Sequence, residues 1–185
     1  IRRIRLPSLG GGFLGQAFDF LFYATNVISL ARKERYDLVY ASSSRLMTAS
    51  LGALVSTMQK AAYYVDIRDI FVDTIHELFP ARYTFFLRPI LTMVERMTLL
   101  QASKINLVSA GFANYFSKRY PNIDKSFHTN GIDSQFLDPM LFAQIEKRKP
   151  GNPLVLVYAG NFGDGQGLHD IVPNLAKALE GRAVF

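Results

Sequence analysis

Short apolar runs alternate along this chain with segments of helix length, and this alternation constrains the fold more than any other feature. The runs typical of strands are Leu38 to Ala41, Ala62 to Val65, Ile105 to Val108 and Leu154 to Tyr158, and an edge strand is also predicted at Ile1 to Leu6. Strands that alternate with helices form βαβ units, whose right-handed crossovers make the strands parallel. The sequence therefore predicts an α/β fold on a parallel sheet.

The helix-length segments carry their own pattern of apolar residues. Helices are predicted at Phe13 to Glu34, Leu46 to Met58, Pro89 to Gln101, Gly111 to Arg119 and Gln166 to Leu179. Most apolar residues of the first helix fall on one stripe at 100° per residue, but Phe18 and Phe22 do not. Pro89 is expected in the first turn of its helix, because a proline inside a helix costs about 3 kcal/mol.

A stretch rich in charge, proline and glycine divides the chain. The run Glu146-Lys147-Arg148-Lys149 is followed by Pro150-Gly151-Asn152-Pro153, a composition typical of a linker. We expect a first domain over residues 1–135, a linker over 136–152, and the first βα unit of a second domain over 153–185. Since the chain begins with Ile1 and not Met, we expect it to be a piece of a longer protein.

Composition narrows the possible functions. The 185 residues contain no cysteine, which excludes a disulfide scaffold and cysteine catalysis and suits a reducing compartment. The three histidines are scattered, so no metal site is expected. A net charge of +6 favours anionic partners such as nucleotide phosphates or acidic lipids. Nucleic acid is disfavoured because the basic residues are dispersed among acidic ones.

Two segments follow predicted strands in places where a ligand would bind. Leu154 to Tyr158 leads into a glycine-rich turn, Gly160 to Gly167, and then a helix, which is the arrangement that binds phosphate through backbone N–H groups. A tight turn without a ligand fits the same pattern equally well. Asp66, Arg68 and Asp69 follow another strand, and an ion pair on the surface is the simpler explanation for them.

Serines lie at the same predicted edge of the sheet. Ser42-Ser43-Ser44-Arg45 follows the strand at Leu38, and Ser109-Ala110-Gly111 follows the strand at Ile105. Each segment precedes a predicted helix, and serine hydroxyls are common helix N-caps. Capping is therefore sufficient to account for these serines.

Four segments together resemble one known family. They are Asp66-Ile67-Arg68-Asp69-Ile70, Ile105-Asn106-Leu107-Val108-Ser109, Asn130-Gly131-Ile132-Asp133, and Tyr158-Ala159-Gly160-Asn161-Phe162-Gly163 with Gln166-Gly167. They come in the order seen in glycosyltransferase family 4. The chain most resembles the bacterial O-antigen and capsule sugar transferases of the L-fucosamine transferase branch.

This resemblance implies a fold, a reaction and a set of partners. The fold would be GT-B, with a Rossmann-like N-terminal domain that binds the acceptor and a second Rossmann-like domain that binds the donor. The enzyme would move a sugar, with retention of configuration, from a UDP-linked donor to a lipid-linked or polysaccharide acceptor. It would need no metal or cofactor. It would lie in the cytoplasm, peripherally on the inner face of the membrane.

The resemblance also implies roles for individual residues. It assigns catalytic roles to Arg68 and Asp69, donor-phosphate binding to Gly160, Asn161, Gly163, Gln166 and Gly167, and places in the cleft or hinge to Asp66, Ser109, Asn130 and Gly131. Asn161 and Gln166 stand where many relatives have Arg and Lys, so positive charge for the phosphate is expected from Arg68 or from residues beyond Phe185. Phe71 replaces the tryptophan expected after Asp69-Ile70.

Other interpretations remain beside this one. A nucleotide- or sugar-binding module without transfer chemistry fits the same segments. A nicotinamide-dependent oxidoreductase is disfavoured because no G-x-G-x-x-G motif opens the first complete βαβ unit. Phe18, Phe22, Phe85 and Phe86, with basic residues such as Arg88, predict docking on an anionic membrane, although Phe18 and Phe22 fit a second packing face equally well.

Overall fold

The computed structural model describes residues 1–7, 12–72, 81–140, 151–160 and 166–184. The chain divides into two compact units, Ile1–Thr129 and Asn130–Phe185. The predicted domain end at residue 135 thus falls inside the second unit. Each unit contains its own sheet.

The first unit is a parallel sheet with a helix between each strand and the next. Its elements are α1 (Phe13–Ala31), β1 (Leu38–Ser43), α2 (Leu46–Gln59), β2 (Ala62–Ile67), α3 (Ala81–Leu99), β3 (Lys104–Leu107), α4 (Ala113–Arg119) and β4 (Asp124–Ser126). The strands are parallel and lie in chain order, β1-β2-β3-β4. This confirms the predicted α/β class and is consistent with a Rossmann-like domain.

The core lies between one face of this sheet and the helices. Alternate residues of a strand point to the same face, and Val65, Ile67, Ile105 and Leu107 on that face are fully buried. They pack in one cluster with residues of α2, α3 and α4, such as Phe116. Burial of each such side chain contributes about 1.5 to 3 kcal/mol. The apolar runs of the sequence form strands because this face removes them from water.

A glycine allows α2 to approach the sheet closely. A Cβ atom added to Gly52 would lie 2.8 Å from the Tyr63 hydroxyl and 2.9 Å from the Cβ atom of Ala41. Tyr63 is itself fully buried, and its hydroxyl donates to the Ala49 carbonyl. Only a residue without a side chain fits between this helix and the sheet.

The opposite face of the sheet carries mainly polar and aromatic side chains, some exposed and some buried. Tyr40 and Tyr64 lie side by side there with ring centroids 5.5 Å apart, and Lys104 pairs with Asp124 at 3.1 Å. Tyr40 is 56% exposed. The helices described so far pack on the other face.

Some predicted elements differ from the structure. Ile1 to Leu6 forms no strand, and α1 ends at Ala31 rather than Glu34. Pro89 lies inside α3 and not in its first turn, since the helix begins at Ala81. Thr84, which precedes the proline, is buried on the same helix as Leu99, so packing along the whole helix outweighs the cost of the proline.

The second unit contains a two-stranded parallel sheet and one longer helix. β5 (Leu154–Val155) pairs with β6 (Ala183–Val184), and α5 (Leu168–Ala178) connects them. β5 is shorter than the predicted strand at Leu154 to Tyr158, and it lies in a different sheet from β3, as expected. Gly167 precedes α5 with φ +60°, a conformation that glycine adopts without strain.

Candidate functional site

One polar residue from each strand of the first unit contributes to a row across the sheet. The strand register pairs Ser42 with Asp66, Asp66 with Asn106, and Asn106 with Ser126. These four residues, which we call the polar row, lie near the carboxyl ends of the strands and on the face opposite the helices. Ligands of open parallel α/β sheets bind at this edge. The polar row is therefore the candidate functional site.

Asp66 is the centre of the polar row. It is only 4% exposed. Its Oδ1 atom accepts a hydrogen bond from Asn106 Nδ2 at 2.7 Å, and its Oδ2 atom accepts one from the Ser42 hydroxyl at 2.8 Å. Both carboxylate oxygens are thus bound within the protein, so Asp66 acts on its neighbours and not directly on a ligand.

These contacts keep Asp66 negatively charged. Burial raises the pKa of its carboxyl, but hydrogen bonds from Asn106, Ser42 and Tyr40 and the charge of Arg68 outweigh burial and leave the pKa below its ordinary value. The same carboxylate helps to raise the pKa of the Tyr40 hydroxyl, for which burial is the larger cause. A fixed negative charge therefore lies at the carboxyl edge of the sheet at neutral pH.

Asn106 has its amide group held on both sides. Nδ2 donates to Asp66 and also to the His128 carbonyl at 3.0 Å, while Oδ1 accepts from the His128 backbone N–H at 2.8 Å. The Ser126 hydroxyl donates to the same oxygen at 3.3 Å and contacts the Tyr64 hydroxyl at 3.1 Å. The amide cannot turn without losing these bonds, so it fixes the carboxylate of Asp66.

Arg68, which follows β2, is the cation held by this network. Its Nε atom donates to the Ser42 hydroxyl at 2.9 Å and to Asp66 Oδ2 at 3.3 Å, and its side chain is 47% exposed. Within the described residues, its two Nη groups have no protein partner. They form one end of a planar fork that can bind two oxygens of a phosphate or carboxylate.

Asp69 does not hold Arg68. Among the described residues, the carboxylate that contacts Arg68 is that of Asp66, the other aspartate of the segment, and the Ser42 hydroxyl is the second partner. Asp69 is half-buried, and burial raises the pKa of its carboxyl. The carboxyl is therefore closer to taking up a proton at neutral pH than an ordinary aspartate, which is typical of groups that exchange protons with a ligand.

The serines near this edge have different roles. Ser109 caps a short 3₁₀ helix, since its hydroxyl accepts from the Gly111 N–H at 3.2 Å. The serines of Ser42-Ser43-Ser44 were expected to cap α2. The Ser42 hydroxyl donates to Asp66 instead. Ser43 forms a local turn with Arg45 by accepting from its N–H and donating to its carbonyl, and the side chain of Arg45 itself makes no cap bond.

The residues predicted to bind donor phosphate belong to the second unit. Gly160 is exposed, and Gly167 accepts two backbone hydrogen bonds from the first turn of α5, from Asp170 and Ile171 at 3.1 Å each. Asn161 and Gly163 lie outside the described residues. Asn130 and Gly131 begin the second unit and are exposed.

The sequence indicated Asp66 at this edge but not the bonds that join it to Ser42 and Asn106. Asn106 stands between two residues of the core, Ile105 and Leu107, in a strand of four residues. An amide in the middle of a short apolar run was the available signal, because a buried polar group needs a partner. The second signal was a polar residue near the end of each neighbouring strand, Ser42 in β1 and Asp66 in β2.

Across the described ranges, no group of three or more His, Asp or Glu is close enough to hold a metal ion, and no helix has both the length and the apolar character needed to cross a bilayer. No family model matches the chain, and no curated protein matches it. Its function must accordingly be argued from its own residues.

Proposed function

We propose that this protein is a retaining glycosyltransferase of the GT-B type, which transfers a sugar from a nucleotide-diphosphate sugar to a lipid-linked or polysaccharide acceptor. The proposal rests on the position of Arg68. Its Nε atom is held at the carboxyl edge of a parallel sheet, and no described residue contacts its Nη groups. The order of the four family-4 segments in the sequence supports it.

Arg68 suits the charge that develops in sugar transfer. When the bond from the sugar to the diphosphate breaks, negative charge grows on the departing phosphate. A guanidinium fixed in advance stabilises that charge without reorganising during the reaction. Asp66 and Ser42 hold Nε and so provide the fixing, while the Nη groups, which no described residue contacts, bind phosphate oxygens in a pair.

Asp69 provides the second group of the proposed reaction centre. Burial raises the pKa of its carboxyl, so it is a better proton acceptor than an ordinary aspartate. In the proposal, Asp69 accepts a hydrogen bond from the acceptor hydroxyl and orients it. It need not hold Arg68, because Asp66 does so.

The second unit contributes the donor-phosphate residues of the proposal. Gly160, Asn161, Gly163, Gln166 and Gly167 bind the diphosphate through backbone N–H groups and the amide side chains. α5 begins directly after Gly167, and a helix N-terminus favours anions by about 0.3 to 1 kcal/mol. The donor is proposed to be UDP-linked, with no metal or cofactor, and the enzyme to work at the inner face of the cytoplasmic membrane.

The alternative is a nucleotide- or sugar-binding module without catalysis. One observation favours it, because both carboxylate oxygens of Asp66 are occupied by protein donors. Asp170, in the first turn of α5, opposes a phosphate there in both functions.

A transfer assay separates these functions. The intact protein is incubated with radiolabelled UDP-sugars and a polyprenyl-diphosphate-linked saccharide, and the configuration of the product is read by NMR. We expect a product of retained configuration, turnover at least about 100-fold lower in Arg68→Ala, and an intermediate rate in Arg68→Lys. Arg35→Ala, in the exposed segment after α1, is the matched control and should be unaffected. Full turnover in Arg68→Ala contradicts the assigned role, and donor binding without transfer supports the module.

A further inference from the structure

The outer side of α3 is apolar. Its large exposed side chains include Phe85 at 78% and Phe86 at 70% exposure. Others continue along the same side of the helix: Ile90, Met93 and Met97. A groove along α3 is lined by Phe85, Phe86, Pro89 and Met93 together with Arg88 and Arg96.

The charges on this helix have one sign on the outside. Arg88 and Arg96 are exposed, whereas Glu95, the single acidic residue of the helix sequence, is fully buried. Tyr120 donates to the Glu95 carboxylate at 2.8 Å, and Tyr115 donates to it at 3.1 Å. The outer surface of α3 therefore combines apolar groups with positive charge only.

Helix α2 lies between α1 and α3 and adds two more apolar groups. Leu51 and Val55 on one side of α2 pack with α1, while Ser50 on the other side contacts Thr98 of α3 at 2.8 Å. At 100° per residue, the exposed Met47 and Leu54 fall between these two sides. The middle helix thus also presents apolar groups outward.

Helix α1 has a second apolar stripe besides the one that it buries. Leu14, Phe18, Leu21 and Phe22 are exposed and follow the spacing of one helix face, while Ala24, Val27 and Ile28 pack inward. Asp19 is the one charged residue in the helix sequence.

We propose that these three helices form a docking surface for an anionic lipid bilayer. The docking surface consists of Leu14, Phe18, Leu21, Phe22, Met47, Leu54, Phe85, Phe86, Ile90, Met93 and Met97, with Arg88 and Arg96 beside them. It is independent of the sugar-transfer proposal, because it rests on surface chemistry alone. It extends the expectation from Phe18, Phe22, Phe85 and Phe86 to a whole layer of helices.

The chemistry of the surface favours lipid as its occupant. Apolar and aromatic side chains of a helix lying in the membrane plane enter the boundary between headgroups and acyl chains, and neighbouring cations bind anionic headgroups. Large apolar side chains exposed on three neighbouring helices exceed the single scattered ones that are normal on a protein surface. The exposed cations of α3 lack a described acidic partner on that helix, so its charge complements an anionic surface.

The absence of tryptophan from the chain makes insertion directly measurable. Phe86→Trp introduces a single fluorescent reporter, and Phe136→Trp, at an exposed site of the second unit, is the matched control. With vesicles of phosphatidylcholine and 30% phosphatidylglycerol, we expect a blue shift for Phe86→Trp and quenching by brominated lipid. Phe136→Trp should show neither. An unshifted, unquenched Phe86→Trp overturns the proposal.

Sedimentation with the same vesicles tests which groups bind. We expect at least tenfold weaker binding for the double change Phe85→Ser with Phe86→Ser, for Arg88→Gln with Arg96→Gln, and for the unchanged protein on pure phosphatidylcholine. Phe136→Ser is the control, and circular dichroism verifies that each variant is folded. Equal binding to neutral and anionic vesicles overturns the proposal. So does a protein that is a dimer in solution through this surface. The vesicles contain no sugar donor or acceptor, so this result is independent of transfer activity.

Discussion

Asn106 donates to Asp66 across 2.7 Å, the shortest of the described hydrogen bonds to that carboxylate. The two residues lie opposite each other in the register of β2 and β3, and the backbone of His128 holds the amide of Asn106 from the other side. Arg68 in turn is held by Asp66. The position of this cation is therefore set by a series of hydrogen bonds that begins at the backbone of His128, beyond β4 and two strands from β2.

The first prediction concerns the charge of Asp66. Asp66→Asn replaces one carboxylate oxygen by an NH₂ group, which cannot accept the hydrogen bonds that the Ser42 hydroxyl and Arg68 Nε donate to Oδ2. We therefore expect a loss of about 1 to 3 kcal/mol in the free energy of unfolding at pH 7. Because the pKa of the folded carboxyl is lowered, its contribution is present above the unfolded pKa of about 3.9 and is lost as the pH falls through the folded value. The difference in the free energy of unfolding between the parent and Asp66→Asn should become smaller from pH 5 towards pH 3.

Urea unfolding at several pH values measures this effect. Asp124→Asn, which removes an exposed ion pair with Lys104, is the control and should cost little at any pH. If the loss of unfolding free energy in Asp66→Asn stays constant down to pH 3, it does not come from the charge of Asp66.

The second prediction concerns the buried carboxylate of Glu95. Tyr120→Phe removes a donor at 2.8 Å from a fully buried acceptor, so the free energy of unfolding should fall by about 1 to 3 kcal/mol. Tyr36→Phe removes a similar bond to Glu34 at 3.3 Å on the surface and should change it by less than about 0.5 kcal/mol. Equal losses in the two variants would mean that burial of Glu95 has no energetic role.

The third prediction concerns the contact between α2 and the sheet. Gly52→Ala forces a Cβ atom against Tyr63 and Ala41, which costs about 1 to 3 kcal/mol by overpacking, while the gain in helix propensity is at most about 1 kcal/mol. We expect a lower melting temperature. Gly131→Ala, where an added Cβ atom meets nothing within 4 Å, is the control. A Gly52→Ala protein more stable than the parent would show that the helix can move outward freely.

The strands of the first sheet were predictable because burial selects apolar residues at them. β1, β2 and β3 appear in the sequence as apolar runs, and their core residues are buried as expected. β4 was not predicted, since its sequence Asp124-Lys125-Ser126 contains no apolar residue and forms a strand only by pairing with β3. Pairing of this kind depends on the partner and leaves no local signal.

The candidate site was predictable only in part. Arg68 and Asp66 were expected at the carboxyl edge because they follow a strand. The bond between Ser42 and Asp66 joins residues 24 positions apart, and the bond between Asn106 and Asp66 joins residues 40 apart. Strand register decides both of them, and register is not visible in a single sequence, which is why Ser42 was assigned to a helix cap and Asn106 was passed over.

The central claim is that Arg68, held by Asp66 and Ser42, binds phosphate. Calorimetric titration of the intact protein with UDP tests it most directly, with Arg68→Ala, Arg68→Lys and the control Arg35→Ala compared under one salt condition. We predict that Arg68→Ala raises the dissociation constant at least tenfold, a loss of about 1.4 kcal/mol, that Arg68→Lys lies between, and that Arg35→Ala matches the parent. A dissociation constant for Arg68→Ala equal to that of the parent would contradict the claim.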